Sequence, residues 1–507
     1  MLVPLKLAPG LFQNGTLYQA KNRWARANLV RFSENTIRPV GGWQEFTAAA
    51  QVDPTITLNG VPRAIIGWRG SDGNQTVAVG TNTKLYAHLG GTLYDITPTG
   101  FTAGSADAEY VTGGYGDGAY GAGPYGVSDP AQTTFAPPAV FHLDTFGEYL
   151  VACSAPNDGK IYVWDRSVSD IAVQATGSPT QCLGVVVTPE RFVVALGAGN
   201  VSRHIQWASQ ETTDTWTPDI SNTAGSLDLE GVGILVAGRR AKGETLLWTT
   251  DDVHALRYIG GTLVYAAERI GGKCGLISPG AVAMVDDKAV WMSKGKFFLY
   301  DGYVQAIPCD VSDAVFSDLN TNQSGKVTSL TISRFGEIWW FYPSAGSTEN
   351  DKYVVWNYRE NHWMTGTLPR TAGCDSGAIG YPLLASSNGK LWEHERTFVH
   401  TDLSGGTLTP YLESGPVEAG EGDQVLYISR ILPDERTLGQ VQLSLYGSFE
   451  PMADETLYGP FTVGKNTDAR MTARWVRLRL DQIVEEDWRV GVIRLDGKPA
   501  GARGSPR

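Results

Sequence analysis

The sequence predicts an all-β protein: a β-propeller of six or seven blades with an additional C-terminal β-sandwich-like domain. Gly (60 residues), Pro (26), Trp (15) and Tyr (21) are abundant, which is typical of a chain with many turns and a large β core. Helical periodicity is nearly absent, and one type of hairpin recurs along the chain. At 507 residues the chain is too long for one ordinary core, so we expect several domains.

The recurring hairpin lies between about residues 60 and 400. Each copy joins two short β-branched or aromatic runs through a turn of Gly, Asn, Asp or Lys, and the second run carries an aromatic residue. These aromatic residues are Tyr86, Tyr162, Trp207, Tyr258, Tyr300, Trp356 and Trp392. After a first gap of 76 residues that contains an insertion, they follow at 36 to 56 residues, near the repeat of about 40 to 50 residues of a four-stranded blade. Each hairpin is therefore predicted to be the central pair of one blade, the alternative being a generic string of hairpins in a sandwich or stack.

Three parts follow from this pattern. Residues 1–60 form an N-terminal segment that completes the propeller or docks on a neighbouring protein, and residues 61–402 form the propeller. Residues 403–507 form the β-sandwich, in which the alternation of residues 474–480 indicates a half-buried strand. The best helical pattern is a short connector at 311–319, with Ser312 or Asp313 as its cap.

An insertion at 102–137 separates the first two hairpins. Its centre, GGYGDGAYGAGPYG at 113–126, places Tyr115, Tyr120 and Tyr125 five residues apart, each before a glycine. Tyrosine on a glycine-rich support makes large contacts with few rotatable bonds. These three residues are the candidate gate or contact loop; an ordered loop packed on its own propeller is the alternative.

The charge balance excludes several function classes. The net charge is −12 and no long Lys/Arg run is present, which argues against a surface that grips DNA or an anionic membrane. An acidic wall still lets DNA slide through a channel. The five cysteines are dispersed without a C-x-x-C pair, so neither a disulfide framework nor a zinc site is predicted, and a reducing cytosol is the expected folding compartment. Neither a signal peptide nor an apolar run long enough to span a membrane is present.

Catalytic interpretations lack the necessary spacing. The sequence has no G-x-S-x-G, P-loop or H-E-x-x-H motif. His362 and His394 are predicted to be structural, and the acidic residues near hairpin strands are predicted to form turns; these are Asp165, Asp251, Asp252 and Asp301. The segment 485–487 is predicted to be a solvated turn, and Asp310 and Asp313 lack calcium-ligand spacing. We therefore expect no enzyme activity, no cofactor and no metal.

Three groups of short motifs resemble a known family. The first is GLFQNGTLY at 10–18 with Trp24, ANLVRF at 27–32 and PVGGW at 39–43. The second is GLISP at 275–279 with VWMS at 290–293 and FLYDG at 298–302. The third is WVRLR at 475–479 with WRVGVIRLD at 488–496. Together they resemble the tail nozzle (hub, or DNA-stabilisation) proteins of short-tailed bacteriophages.

This resemblance implies a structural role in a virion. The chain would form a homo-oligomeric ring, expected to be a hexamer, below the adaptor (head-to-tail connector) protein, with tail needle, fibre or spike proteins nearby. The ring would extend the DNA exit channel and help retain the packaged genome, without specific DNA binding or membrane insertion. The chain would be made in the host cytoplasm and reside in the tail. The alternatives are a receptor-binding tail adhesin and a propeller hydrolase or lyase that acts on glycans.

Overall fold

The structure is a computed structural model that describes residues 2–46, 58–113, 132–377, 379–418, 424–433, 440–450, 453–464 and 467–500. Within these ranges, seven four-stranded antiparallel sheets are arranged as the blades of a propeller. The predicted fold class is therefore confirmed, with seven blades.

The blades follow the chain in order, and each runs from its innermost to its outermost strand. Blade 1 consists of Pro62–Arg69, Gln75–Thr81, Leu85–Leu89 and Thr92–Asp95. Blade 2 consists of Val140–Phe146, Tyr149–Ala155, Ile161–Trp164 and Val173–Gln174. Blade 3 consists of Gly184–Val187, Val193–Leu196, His204–Trp207 and Gly225–Asp228. Blade 4 consists of Leu235–Ala241, Glu244–Thr249, Asp252–Gly260 and Val264–Gly272.

Among the last three blades, blade 7 takes its outermost strand from the N-terminal part of the chain. Blade 5 consists of Val282–Val285, Lys288–Met292, Phe297–Tyr300 and Val304–Ile307. Blade 6 consists of Thr328–Ile332, Glu337–Tyr342, Lys352–Asn357 and His362–Thr367. Blade 7 consists of Ala372–Cys374, Leu383–Ala385, Leu391–Thr397 and, as its outermost strand, Gly42–Glu45.

The repeated aromatic residue of the sequence pattern lies on the third strand of every blade. The second and third strands carry the most apolar side chains because both of their faces pack against neighbouring blades. Every residue of Glu337–Tyr342 in blade 6 is buried. Aromatic rings join adjacent blades, as where Trp248 of blade 4 meets Trp291 of blade 5 edge to face at 5.6 Å.

The N-terminal strand Gly42–Glu45 pairs antiparallel with Leu391–Thr397 and so closes the circle of blades. Trp43 is buried there and stacks on His394 at 4.9 Å. The buried guanidinium carbon of Arg370 lies 4.8 Å from the centroid of the Trp43 ring. Arg370 Nε donates to His394 Nε2 at 3.0 Å, and burial together with the charge of Arg370 lowers the pKa of this imidazole. The closure therefore rests on ring stacking and burial as well as on backbone hydrogen bonds.

The C-terminal domain is a sandwich of two sheets with strands from both chain ends. One sheet contains Leu2–Pro4, Arg494–Pro499, Leu426–Leu432 and Thr467–Ala473. The other contains Ala8–Leu11, Arg23–Asn28, Tyr411–Ser414, Trp475–Gln482, Val441–Ser448 and Thr456–Thr462, with Val417–Glu418 at its side. The predicted sandwich of residues 403–507 does not include these N-terminal strands. Within Trp475–Gln482 the residues alternate between buried and half-buried, as the sequence alternation predicts.

The sandwich lies beside blade 6 rather than apart from the propeller. Ala8–Leu11 and Arg23–Asn28 contact the outermost strand of that blade, His362–Thr367. Asn14 reaches the helix Ser312–Asp318, where its Oδ1 accepts the Asp313 backbone N–H at 3.1 Å. The cap of this helix is thus not Ser312 or Asp313, because the residue at its N-cap is Val311 and the side-chain acceptor comes from the N-terminal segment.

The remaining elements are short. A hairpin of Val30–Ser33 and Thr36–Pro39 follows the first sandwich strands. Short 3₁₀ turns span Leu17–Ala20, Ala198–Asn200 and Thr321–Lys326. The insertion contains an antiparallel ribbon, Glu109–Gly113 with Gln132–Ala136. Within the described ranges, no helix has the length and apolar character needed to cross a bilayer.

Candidate functional site

The propeller axis holds a polar cavity. A cavity of about 180 Å³ is lined by innermost strands of blades 1, 2, 4, 5, 6 and 7. Its polar side chains include Arg63, His142 and Arg239, and no Asp or Glu is among its lining residues. The remaining wall is largely Gly, Ala, Val and backbone. The axis is therefore a narrow, cation-bearing cavity.

A cluster of four charged residues lies at one end of this cavity, where Arg63 lines the wall. Arg63 forms a bidentate pair with Glu349, with Nη1–Oε2 at 2.8 Å and Nη2–Oε1 at 2.6 Å. Lys326 is fully buried, lies 3.1 Å from Glu349 Oε1, donates to Thr348 O at 2.6 Å and pairs with Asp107. Each charge has an opposite partner, as buried charges require. We call Arg63, Glu349, Lys326 and Asp107 the axial cap.

The axial cap holds the base of the insertion across the axis. Arg63 Nη2 donates to Ala106 O at 2.8 Å, and the Gln323 side chain exchanges two hydrogen bonds of 3.0 Å with the backbone of Ala108. Close by, Pro138 and Gly325 approach each other so tightly that a Cβ on Gly325 would lie 3.1 Å from Pro138 Cδ. These contacts join the segments before blades 2 and 6, which are not neighbours, so the chain crosses the mouth of the cavity. The candidate loop residues Tyr115, Tyr120 and Tyr125 belong to the same insertion but lie outside the described residues.

Arg239 and His142 also line the cavity, and their surroundings differ from those of the axial cap. Arg239 donates to Gly238 O at 2.9 Å and to Pro279 O at 3.1 Å. Burial lowers its pKa, and the charge of nearby Asp144 opposes this shift. His142 is 3% exposed, and burial together with Arg239 lowers its pKa to about 3. The imidazole is therefore neutral at physiological pH.

A second buried cluster lies where the hairpin 30–39 meets blades 6 and 7. Arg31, 1% exposed, pairs with Glu337 (Nε–Oε1 3.0 Å) and with Glu395 (Nη2–Oε1 2.6 Å). Its guanidinium carbon lies 3.7 Å from the centroid of the Phe335 ring. Burial opposes the charge on Arg31, but the two carboxylates outweigh burial and raise its pKa; burial likewise raises the pKa of Glu337. We call Arg31, Glu337 and Glu395 the triad; it fastens the N-terminal segment to the propeller.

The residues weighed for catalysis are not brought together. Asp165, Asp252 and Asp301 lie in or beside blades 2, 4 and 5, and Asp165 accepts the Ser167 backbone N–H as in a turn. Asp251 lies in the turn beside Asp252, which pairs with Arg269 at 2.5 Å. His362 is buried and meets the Phe32 ring edge to face at 5.6 Å.

The described part of the chain contains neither a group of metal ligands nor an activated thiol. No three His, Cys, Asp or Glu side chains of these residues are grouped as a metal would need. All five cysteines are free. Burial raises the pKa of Cys182 and Cys309 to about 12 and that of Cys274 to about 11, which keeps these thiols protonated and weakly nucleophilic.

The charged residues at the axis and in the triad were not singled out from the sequence. Some of them are lone charges inside or beside an apolar run, such as Arg31 between Val30 and Phe32. Charged side chains are rarely buried without a partner, so such positions signal a distant counter-charge. The partner itself cannot be named from the sequence, because Glu337 is 306 residues from Arg31.

Comparisons with known proteins give likenesses of structure but none of sequence. No family model matches the chain, and no curated protein matches it. Among solved structures, the chain is similar to a catalytically inactive variant of virginiamycin B lyase from Staphylococcus aureus, solved with quinupristin. The identity is 10% and the TM-score 0.39, over 70% of this chain and 98% of that one. A likeness at this level says nothing about activity or ligands.

Proposed function

We propose that this chain is a structural protein of the tail of a short-tailed bacteriophage: a nozzle subunit that forms a ring, extends the DNA exit channel and helps retain the packaged genome. The observation that carries the proposal is that the three motif groups resembling nozzle proteins share one hydrophobic core. Leu11 and Trp24 of the first group, Trp291 of the second and Trp488 of the third all belong to it.

The hairpin of Val30–Ser33 and Thr36–Pro39, which links two motifs of the first group, is also joined to the third group through its backbone. Ile37 and Val490 exchange two hydrogen bonds of 2.9 Å. Trp488, which is 1% exposed, donates its Nε1–H to Gln482 Oε1 at 2.9 Å. Motifs separated by more than 400 residues in the chain thus form one packing unit. Short motifs that meet in a core are the signature of a shared architecture, whereas motifs of an enzyme family converge on a cleft.

The size of the axial cavity and the net charge of the chain bear on the path that DNA would take through the ring. The cavity of about 180 Å³ is far too small for a DNA strand, and the axial cap crosses one end of it. DNA would therefore pass through the lumen of the ring and not through a single propeller. A net charge of −12 per chain suits a lumen that repels phosphate and lets DNA slide.

Partners follow from the same proposal. The ring would be a homo-oligomer, expected to be hexameric, with the adaptor protein above and needle, fibre or spike proteins nearby. A ring requires a heterologous interface, in which one patch of a subunit meets a different patch of the next. The chain would then reside in the virion tail after synthesis in the host cytoplasm.

The test is the solution mass of the purified full chain, combined with negative-stain electron microscopy, alone and mixed with the adaptor protein of the same genome. We expect a ring of about six subunits with a central hole, formed alone or only on the adaptor. A monomer that ignores the adaptor would overturn the proposal. A trimer with an exposed tip would instead indicate an adhesin, and turnover in a screen of bacterial glycans would indicate the hydrolase or lyase alternative.

A further inference from the structure

We propose that the axial cavity is a binding site for a small oxyanion, with Arg239 as its principal ligand and His142 and Arg63 in its wall. The site is independent of the function proposed above. Three observations carry it: an Arg charge that no carboxylate neutralises by a hydrogen bond among the described residues, a polar wall without acidic side chains, and a volume that suits a small ion.

The state of Arg239 is the first step. Among the described residues, its guanidinium donates only to Gly238 O and Pro279 O, at 2.9 and 3.1 Å. A guanidinium has five N–H donors, so these two bonds fix its plane and leave donors for a ligand. The nearby Asp144 carboxylate is occupied elsewhere, since it accepts the Val187 N–H at 2.8 Å and pairs with Arg240. Arg239 is half-buried, and a charge drawn partly out of water without such a partner carries a desolvation cost.

The wall of the cavity is the second step. His142 is 3% exposed, and its Nδ1 has no hydrogen-bond partner among the described residues. A Cβ on Gly184 would lie 2.6 Å from this nitrogen, so the ring is wedged against blade 3. Arg63 Nε is likewise buried without a described partner, although the rest of this side chain is committed to the axial cap. The two guanidinium groups are donors for an anion, His142 adds a neutral part of the wall, and none of the lining side chains is a carboxylate that would repel an anion.

The size and access of the cavity are the third step. A volume of about 180 Å³ is room for several water molecules. This admits inorganic phosphate, sulfate or a short carboxylate, and it excludes a polynucleotide. The axial cap crosses one end, while a second cavity shares Val282, Ser329 and Gly373 with the first. A ligand would therefore enter from the end opposite the axial cap.

The ligand would present two oxygen atoms, side by side in one plane, to the Arg239 guanidinium. Guanidinium groups bind carboxylate and phosphate oxygens side by side, with charge-assisted hydrogen bonds. Phosphate and acetate share this feature but differ in geometry and charge. A ligand that binds only the folded chain also stabilises it in proportion to its occupancy, so binding is visible as a shift in the melting temperature.

The experiment titrates the full chain with sodium phosphate, sulfate or acetate against chloride at matched ionic strength, and follows the melting temperature and the ³¹P linewidth of phosphate. Arg239→Gln removes the principal ligand. Arg191→Gln is the matched control, because it removes an exposed arginine that pairs with Glu211 and does not line the cavity. We expect saturable binding of at least one oxyanion to the wild type and to Arg191→Gln, and an affinity about 10- to 100-fold lower in Arg239→Gln.

A third variant covers the case in which Arg239→Gln does not fold. Arg239→Lys keeps the charge but loses the planar fork, and we expect its affinity to lie between those of the wild type and Arg239→Gln. Which oxyanion binds most tightly identifies the ligand geometry. The proposal fails if none of the three anions gives a saturable effect beyond chloride on the wild type, or if Arg191→Gln weakens binding as much as the Arg239 variants do.

Discussion

Arg31→Met is expected to destabilise the protein strongly, because it leaves two buried carboxylates without their cation. Arg31 is 1% exposed, and the side chains of Glu337 and Glu395 are 0% and 8% exposed. Removing one partner of a buried ion pair costs about 3–5 kcal/mol, and we expect a loss in the free energy of unfolding in that range. The assay is equilibrium unfolding in urea, followed by tryptophan fluorescence.

The triple variant Arg31→Met, Glu337→Gln, Glu395→Gln separates charge from packing. Since no uncompensated charge remains in the triad, we expect it to recover to within about 1–2 kcal/mol of the wild type. The amide oxygen that Glu337→Gln introduces would still accept the hydrogen bond that Trp339 Nε1 now donates to Glu337 at 3.0 Å. Lys84→Met, which breaks the exposed pair with Asp95, serves as the control and should leave the unfolding midpoint unchanged. Equal stability of the single variant and the wild type would refute this reasoning, as would a triple variant that is no more stable than the single one.

Three further predictions concern other parts of the fold. Arg63→Met should speed amide hydrogen exchange at residues 104–108, because it removes the bonds to Glu349 and Ala106; unchanged exchange would contradict an anchoring role. His142 has a pKa of about 3 in the fold against an ordinary value near 6.5, so the unfolded chain binds the extra proton between these pH values and stability falls as the pH drops through them. His142→Gln should remove up to about 1.4 kcal/mol per pH unit of that slope, and an unaltered slope would disprove it. Trp43→Ala should cost about 3–5 kcal/mol in urea unfolding, since this buried ring fills the closure of blade 7; a loss below about 1 kcal/mol would show that the closure does not depend on it.

The propeller could be predicted because its strongest signals are local. The second and third strands of each blade are joined by a short turn and are buried on both faces, so their sequences are rich in β-branched and aromatic residues. All seven aromatic positions, from Tyr86 to Trp392, lie on third strands. Outer strands such as Val173–Gln174 are short and exposed, and they leave little pattern to detect.

The rest could not be predicted because it depends on pairings between distant residues. Leu2–Pro4 pairs with Arg494–Pro499, and nothing in either segment specifies the other. The same holds for Lys326 and Asp107 of the axial cap, which lie 219 residues apart. A lone charge in an apolar run indicates burial, but its partner is determined only by the assembled fold. Tyr115, Tyr120 and Tyr125 remain a prediction, which deletion of 113–126 followed by assays of assembly and genome retention would test.

The origin of the outermost strand in blade 7 has a consequence during translation. Gly42–Glu45 leaves the ribosome early, but its partner Leu391–Thr397 is made more than 340 residues later. At about 5–20 residues per second this strand waits roughly 20–70 s for its partner. A nascent chain that terminates before residue 391 can never close the circle, and it leaves Trp43 and the edge of the first blade without their neighbours. Premature termination therefore yields a chain that is open to proteolysis rather than a shortened subunit able to enter an assembly.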